Sequence, residues 1–176
     1  MMKRFLGIAV LLIIVAFAGQ KLSAQTPKFG HVNSDELVQA LPEFDSANVK
    51  LESYRKELIN YLEIMSVELN NKSEAYNKEV KNLTDLVKQT KEQELVDLNR
   101  KIQEFQTNAQ TQLQEKQAEL FQPIMAKVDK AIKDVGKENG FVYIFDISQG
   151  RGALLYFDET KSTNIMVLAK AKLGIK

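Results

Sequence analysis

Between Glu43 and Val135 the chain carries no glycine and only one proline, Pro123. The stretch is rich in Glu, Lys, Gln, Leu and Ala, which lose little freedom on entering a helix. Its apolar residues recur every three or four positions. Leu51, Tyr54, Leu58, Leu62, Met65 and Leu69 form one run. Leu95, Leu98, Ile102, Phe105, Ala109 and Leu113 form a second, continued by Leu120, Ile124, Val128, Ile132 and Val135. Such spacing draws one apolar stripe along a helix, the seam of a coiled coil. A single straight helix over residues 43–138 would run roughly 140 Å and leave that stripe wet. Doubling back covers it within one chain. The spacing therefore predicts a long antiparallel helical hairpin, each arm on the order of 70 Å.

No Gly-Pro pair marks the reversal. Thr90 followed by Gln93 suits a new helix start, which places the tip between Leu83 and Thr90, near the midpoint of the stretch. Residues 103–117 hold six glutamines and give the return arm a polar middle. Pro123 removes one helical hydrogen bond and is expected to kink the arm. Beyond it the apolar positions are larger and denser, which predicts that the arm enters a packed base.

The first residues read as a targeting segment. Lys3 and Arg4 form a basic start, residues 5–18 an apolar core, and Ala24 a small residue before the expected cut, which makes 1–24 a signal peptide. The apolar core is short for a membrane span. The chain has no cysteine, so it offers no lipid attachment point, disulfide framework or thiolate metal site. Cleavage after Ala24 removes Lys3, Arg4 and Lys21 and no acid, leaving the mature chain with two more acidic than basic residues. That balance argues against polyanion binding by the whole molecule.

The remaining pieces are short. Residues 29–32 read as a strand, and Asn33 or Ser34 with Glu36 as a capped helix start. Pro42 closes that helix or opens the next. Gly136 and Gly140 are read as the end of the long helix. Residues 141–147 give the strongest strand signal, aromatic and β-branched throughout. Residues 153–157 read as a second strand, paired with the first as a β-hairpin across the turn at 149–152. Residues 158–162 read as a loop, and Thr163 as the cap of a last helix.

The catalytic inventory is thin. His31 is the one histidine, and no nucleophile motif accompanies it, so it reads as a partly buried structural residue. Asp146 at a strand end reads as a turn-forming side chain. Gly150 and Gly152 precede a strand, not a helix, so they are no phosphate loop. Between Lys78 and Lys101 six bases mix with five acids, which reads as a solvated face and not a nucleic-acid patch.

The order of elements, with Phe29-Gly30-His31-Val32-Asn33 and Leu37, the run from Leu95 to Phe105, Leu120-Phe121-Gln122-Pro123-Ile124, and the stretch from Lys137 to Asp146, resembles the Skp/OmpH family of periplasmic chaperones. The resemblance implies a mostly helical α+β chain: a coiled-coil tentacle (43–138) on a small β-body (25–42 and 139–176) completed by trimerisation. It implies an ATP-independent holdase, without cofactor, that holds unfolded outer-membrane proteins in a cavity between tentacles. Well-known members are strongly basic, whereas this mature chain is slightly acidic. Open strand edges independently invite pairing with further copies. Phe29, Val32, Val142, Ile144, Leu154 and Tyr156 are the expected body core or trimer interface. Tyr76, Val80, Leu83, Leu86 and Val87 on the distal arm are the expected client contacts, unless they complete the seam. No nucleic acid and at most peripheral membrane contact are expected. A periplasmic coiled-coil adaptor or structural envelope protein is the alternative.

Overall fold

The computed structural model describes residues 26–149, 154 and 156–175. The expected signal peptide and most of the turn at 149–152 lie outside the described residues.

The hairpin is built from α2 (Pro42–Glu79) and α3 (Asp85–Glu138), about 57 Å and about 81 Å long at roughly 1.5 Å per residue. Pro42 opens α2 at its first helical turn, where its missing N–H costs nothing. The stripe residues are half-buried or buried in both arms, while most residues between them are exposed. Contacts across the arms fix the register. Tyr54 Oη donates to Gln112 at 3.0 Å, Tyr76 Oη donates to Glu92, and Lys127 Nζ reaches Glu43 at 2.5 Å. The rings of Tyr61 and Phe105 lie 5.0 Å apart. These pairs straddle Thr84 almost symmetrically.

The reversal lies at Val80–Thr84, earlier than the sequence suggests. A 3-10 turn, Val80–Asn82, ends α2, and Leu83 and Thr84 are extended. Thr84, not Thr90, precedes α3. Its carbonyl accepts from Lys88 N at 3.0 Å, and Asp85 complements the helix dipole. Thr90 sits inside α3 with its hydroxyl donating to the Leu86 carbonyl at 3.0 Å. At the other end α3 passes through both Pro123 and Gly136. Gly136 is not a terminator. A Cβ there would come within 3.1 Å of Ile144 Cδ1, so the missing side chain lets the strand approach the helix. The chain leaves α3 at Asn139 and Gly140, whose φ of +69° favours glycine.

At the root, β1 (Lys28–Val32) runs into α1 (Ser34–Gln39). Asn33 caps α1: its side chain accepts from Glu36 N at 3.3 Å and donates to Glu36 Oε1 at 2.9 Å. β2 (Phe141–Asp146) and β3 (Ser162–Asn164) flank β1, and both pair with it in parallel. The expected antiparallel hairpin of 141–147 with 153–157 does not appear among the described residues. Leu154, Tyr156 and Phe157 lie outside any strand, and Ala153 and Leu155 are outside the described residues. β1 and β2 can be parallel because the whole helical hairpin serves as their crossover. β3 also displaces the expected helix cap. Thr163 is in the strand, and Asn164 Oδ1 instead accepts from Met166 N at 2.8 Å to start α4 (Met166–Leu173).

The core sits at this root. Val32, Leu37, Leu41, Ile124, Val128, Val135, Ile165 and Ala169 are buried together, with Phe44, Phe121, Phe141 and Ile144 against them. Away from the root, Ile102 is the one buried apolar residue described along the arms. Packing is therefore dense at the base and thin along the hairpin.

Candidate functional site

Two surfaces are candidates, and both follow from which apolar residues the fold leaves uncovered. The first is the outer face of the sheet. Phe29 pairs with Tyr143, and His31 with Phe145, in the β1–β2 register. Phe29 and Tyr143 stack at 6.2 Å, and Phe145 lies 6.1 Å from Tyr143. Tyr143 remains 60 % exposed. A parallel sheet normally has both faces covered. Among the described residues the helices cover the face bearing Gly30, Val32, Ile144 and Asp146; on the outer face His31 is buried beside Phe157, while Tyr143 and Phe145 stay exposed. The outer edge of β2 is also free among the described residues.

The register slips once, between Lys28 and Phe29. The extra residue on β2 brings Phe141 and Ile144 to the same side, where both crowd Gly30 at 3.1–3.2 Å from a notional Cβ. Of the residues expected in the body, Val32 is in the chain's own core and Ile144 packs half-buried beneath β2. Phe29 and Leu154 are half-buried, Val142 is exposed, and Tyr156 is 81 % exposed. Tyr143 and Phe145 were not singled out by the sequence. Their i, i+2 spacing was the available signal, hidden because the neighbouring positions are apolar as well.

Asp146 fixes the end of this sheet. Its carboxylate accepts from Ser34 N at 3.2 Å, from Ser34 Oγ, and from Ser148 N at 3.0 Å. Burial pushes its pKa up, but the hydrogen bonds from Ser34 and Ser148 outweigh it and hold the carboxyl below its usual range. The turn-forming role read for Asp146 from the sequence corresponds to the bond from Ser148 N; the clasp on α1 had no sequence signal. His31 is buried, its Nδ1 2.9 Å from Ser162 Oγ and its ring 4.7 Å from that of Phe157.

The second surface is the arms. Tyr76, Val80 and Leu83 are half-buried on the seam side and help to close the distal hairpin, whereas Leu86 is 75 % exposed and Val87 is exposed. The hydrogen bond to Glu92 raises the Tyr76 hydroxyl above its ordinary pKa. Further apolar side chains stand out singly among charges: Val49, Ile59, Ile64 and Val67 on α2, and Val96 on α3. Among the described residues no cluster of His, Cys, Asp or Glu could hold a metal ion, and no helix is long and apolar enough to cross a membrane.

Among the described residues the geometry offers extended, shallow surfaces. No curated protein matches the chain. A family model does, described as outer membrane protein (OmpH-like), over residues 28–173. That family supports a periplasmic, chaperone-type role connected with outer-membrane proteins. The match runs from β1 to the end of α4, and by it the chain belongs to the OmpH-like family.

Proposed function

We propose that the protein is an ATP-independent holdase that binds unfolded outer-membrane β-barrel proteins and keeps them from aggregating. Three copies join through the β-body formed by residues 25–42 and 139–176, and their hairpins, residues 43–138, enclose a shielded volume. The observation that carries this reading is the uncovered aromatic face of Phe29, Tyr143 and Phe145 beside the free edge of β2. A second copy of the same sheet is the cover that such a face and edge invite. The arms then project from a common base, and their scattered apolar residues supply many weak contacts, with affinity arising from repetition.

The test is light scattering of a diluted, unfolded β-barrel protein with and without the mature chain, together with sedimentation of the chain alone and with client. The expected result is suppression at one trimer per client and a single complex. An intact trimer that leaves aggregation unchanged would refute the reading. One stoichiometric folded partner in a pull-down, in place of a spread of unfolded clients, would favour an adaptor.

A further inference from the structure

The exposed apolar residues of the arms are not equivalent. Leu86 and Val87 sit at the tip between Asp85 and Lys88, and adjacent helical positions point about 100° apart. Val96 stands alone before Asp97. Tyr61 is partly occupied by the ring of Phe105. On α2, by contrast, Asn60, Ile64, Val67 and Asn71 follow a 4-3-4 spacing along one line, opposite the seam residues Leu58, Leu62, Met65 and Leu69. All four are exposed; Ile64 is 63 % and Val67 50 % open to solvent. This line carries no charge over about 16 Å. Its borders do: Glu57, Glu63 and Glu68 flank it, with Lys56 one turn before Asn60 and Glu68 paired with Lys72 at 3.4 Å, so acids outnumber bases along its sides.

We propose that the outer face of α2 from Asn60 to Asn71, centred on Ile64 and Val67, is the arm's contact surface for client. Its acidic border selects stretches of unfolded chain whose apolar residues are flanked by Lys or Arg. The proposal rests on the holdase reading above. The size of the face identifies the occupant. A stable folded partner takes about 20–30 residues from each side, and this line offers two aliphatic side chains between two amides. It suits a weak contact repeated along an extended chain. The sign of the border identifies the composition, because like charges placed across such a contact are rejected.

The experiment uses the mature full-length chain, the double variant I64N/V67N, and V96N as an equally exposed control. The probes are a labelled Leu/Val peptide flanked by lysines and the same peptide flanked by glutamates, read by fluorescence anisotropy. Suppression of β-barrel aggregation is measured in parallel. All positions are exposed, so folding is expected to be intact, and circular dichroism and sedimentation check it. The wild type is expected to bind the lysine-flanked peptide several-fold more tightly, with the preference lost at about 1 M salt, where the Debye length is about 3 Å. I64N/V67N is expected to weaken that binding about tenfold, since one tenfold step corresponds to burying less than one whole aliphatic side chain, and to weaken suppression. V96N is expected to do neither. If the wild type suppresses aggregation and I64N/V67N does so equally, this placement is overturned and the holdase reading stands. If the wild type neither binds peptide nor suppresses aggregation, both fall. Equal binding of the two peptides overturns the charge selection.

Discussion

Removing the Asp146 carboxylate tests how the sheet is anchored to its helices. Asp146→Ala takes the acceptor from Ser34 N, Ser34 Oγ and Ser148 N at once. Ser34 is 1 % exposed, so water cannot readily take the place of the lost acceptor. A hydrogen bond to a charged group contributes about 1.5–3 kcal/mol. The three share one half-buried carboxylate and are not additive, so the expected total is about 3 kcal/mol. With a urea m-value of about 2 kcal/mol/M, the midpoint should fall by about 1.5 M. The assay is urea unfolding followed by near-UV circular dichroism, which reports the aromatic face of the sheet, at one fixed protomer concentration. Ser34→Ala combined with Asp146→Ala should cost less than the sum of the two single changes, because the orphaned hydroxyl is removed with its acceptor. The pH dependence has a definite sign. The folded carboxyl titrates below its unfolded value of about 3.9, so its contribution is fully present above that pH and is lost as pH falls through the depressed folded value. Asp146→Asn should remove that portion of the acid sensitivity. A loss below about 0.5 kcal/mol in the alanine variant, the level of an ordinary surface change, would refute the clasp.

Two glycines, one in α3 and one at its exit, should respond differently. Gly136→Ala gains about 0.5–1 kcal/mol of helix propensity, which offsets the contact with the movable end of Ile144 and leaves the thermal midpoint nearly unchanged. Gly140→Ala meets no atom within 4 Å but must hold φ at +69°, and should cost about 1–2 kcal/mol in the same melt. Tyr143→Ser with Phe145→Ser makes the outer sheet face polar. Sedimentation should then show species smaller than the wild type, while the helical signal at 222 nm persists; an unchanged assembly would remove this face from the interface.

The hairpin was legible because period 3.6 over two long runs is a signal that tertiary packing seldom overrides. Its turn was less so. Thr84 and Thr90 both stand before plausible first turns, and no glycine or proline distinguishes them. The cross-arm pairs settle the matter, since Tyr54 with Gln112 and Tyr76 with Glu92 require a reversal near Thr84, and such pairs are invisible before the arms meet. The sheet was harder still. Residues 153–157 read as a strand by their apolar content, yet the strand beside β1 is Ser162–Asn164, polar and three residues long. It is held by the free edge of β1, through bonds such as Ile165 N to the His31 carbonyl at 3.0 Å, and by no pattern of its own. The faces of β2 were illegible for a different reason. The slip beside Phe29 breaks strict alternation, so Phe141 and Ile144, three apart, share a side.

Core and arms therefore use apolar residues in opposite ways. At the root Val32, Leu37, Val128 and Ile165 are sealed from water, and each contributes roughly 1.5–3 kcal/mol to a fixed arrangement. Along the arms Val49, the neighbouring pair Ile64 and Val67, Leu86 and Val96 stand apart from one another among Glu, Lys and Asn. Joined into one patch they would invite the arms of different molecules to aggregate. Spaced apart they offer no such patch. Under the holdase function proposed above, a surface that holds unfolded chains without gripping any one of them needs that dispersion, and the helix supplies it by carrying a second, sparser line of side chains on the face turned away from its seam.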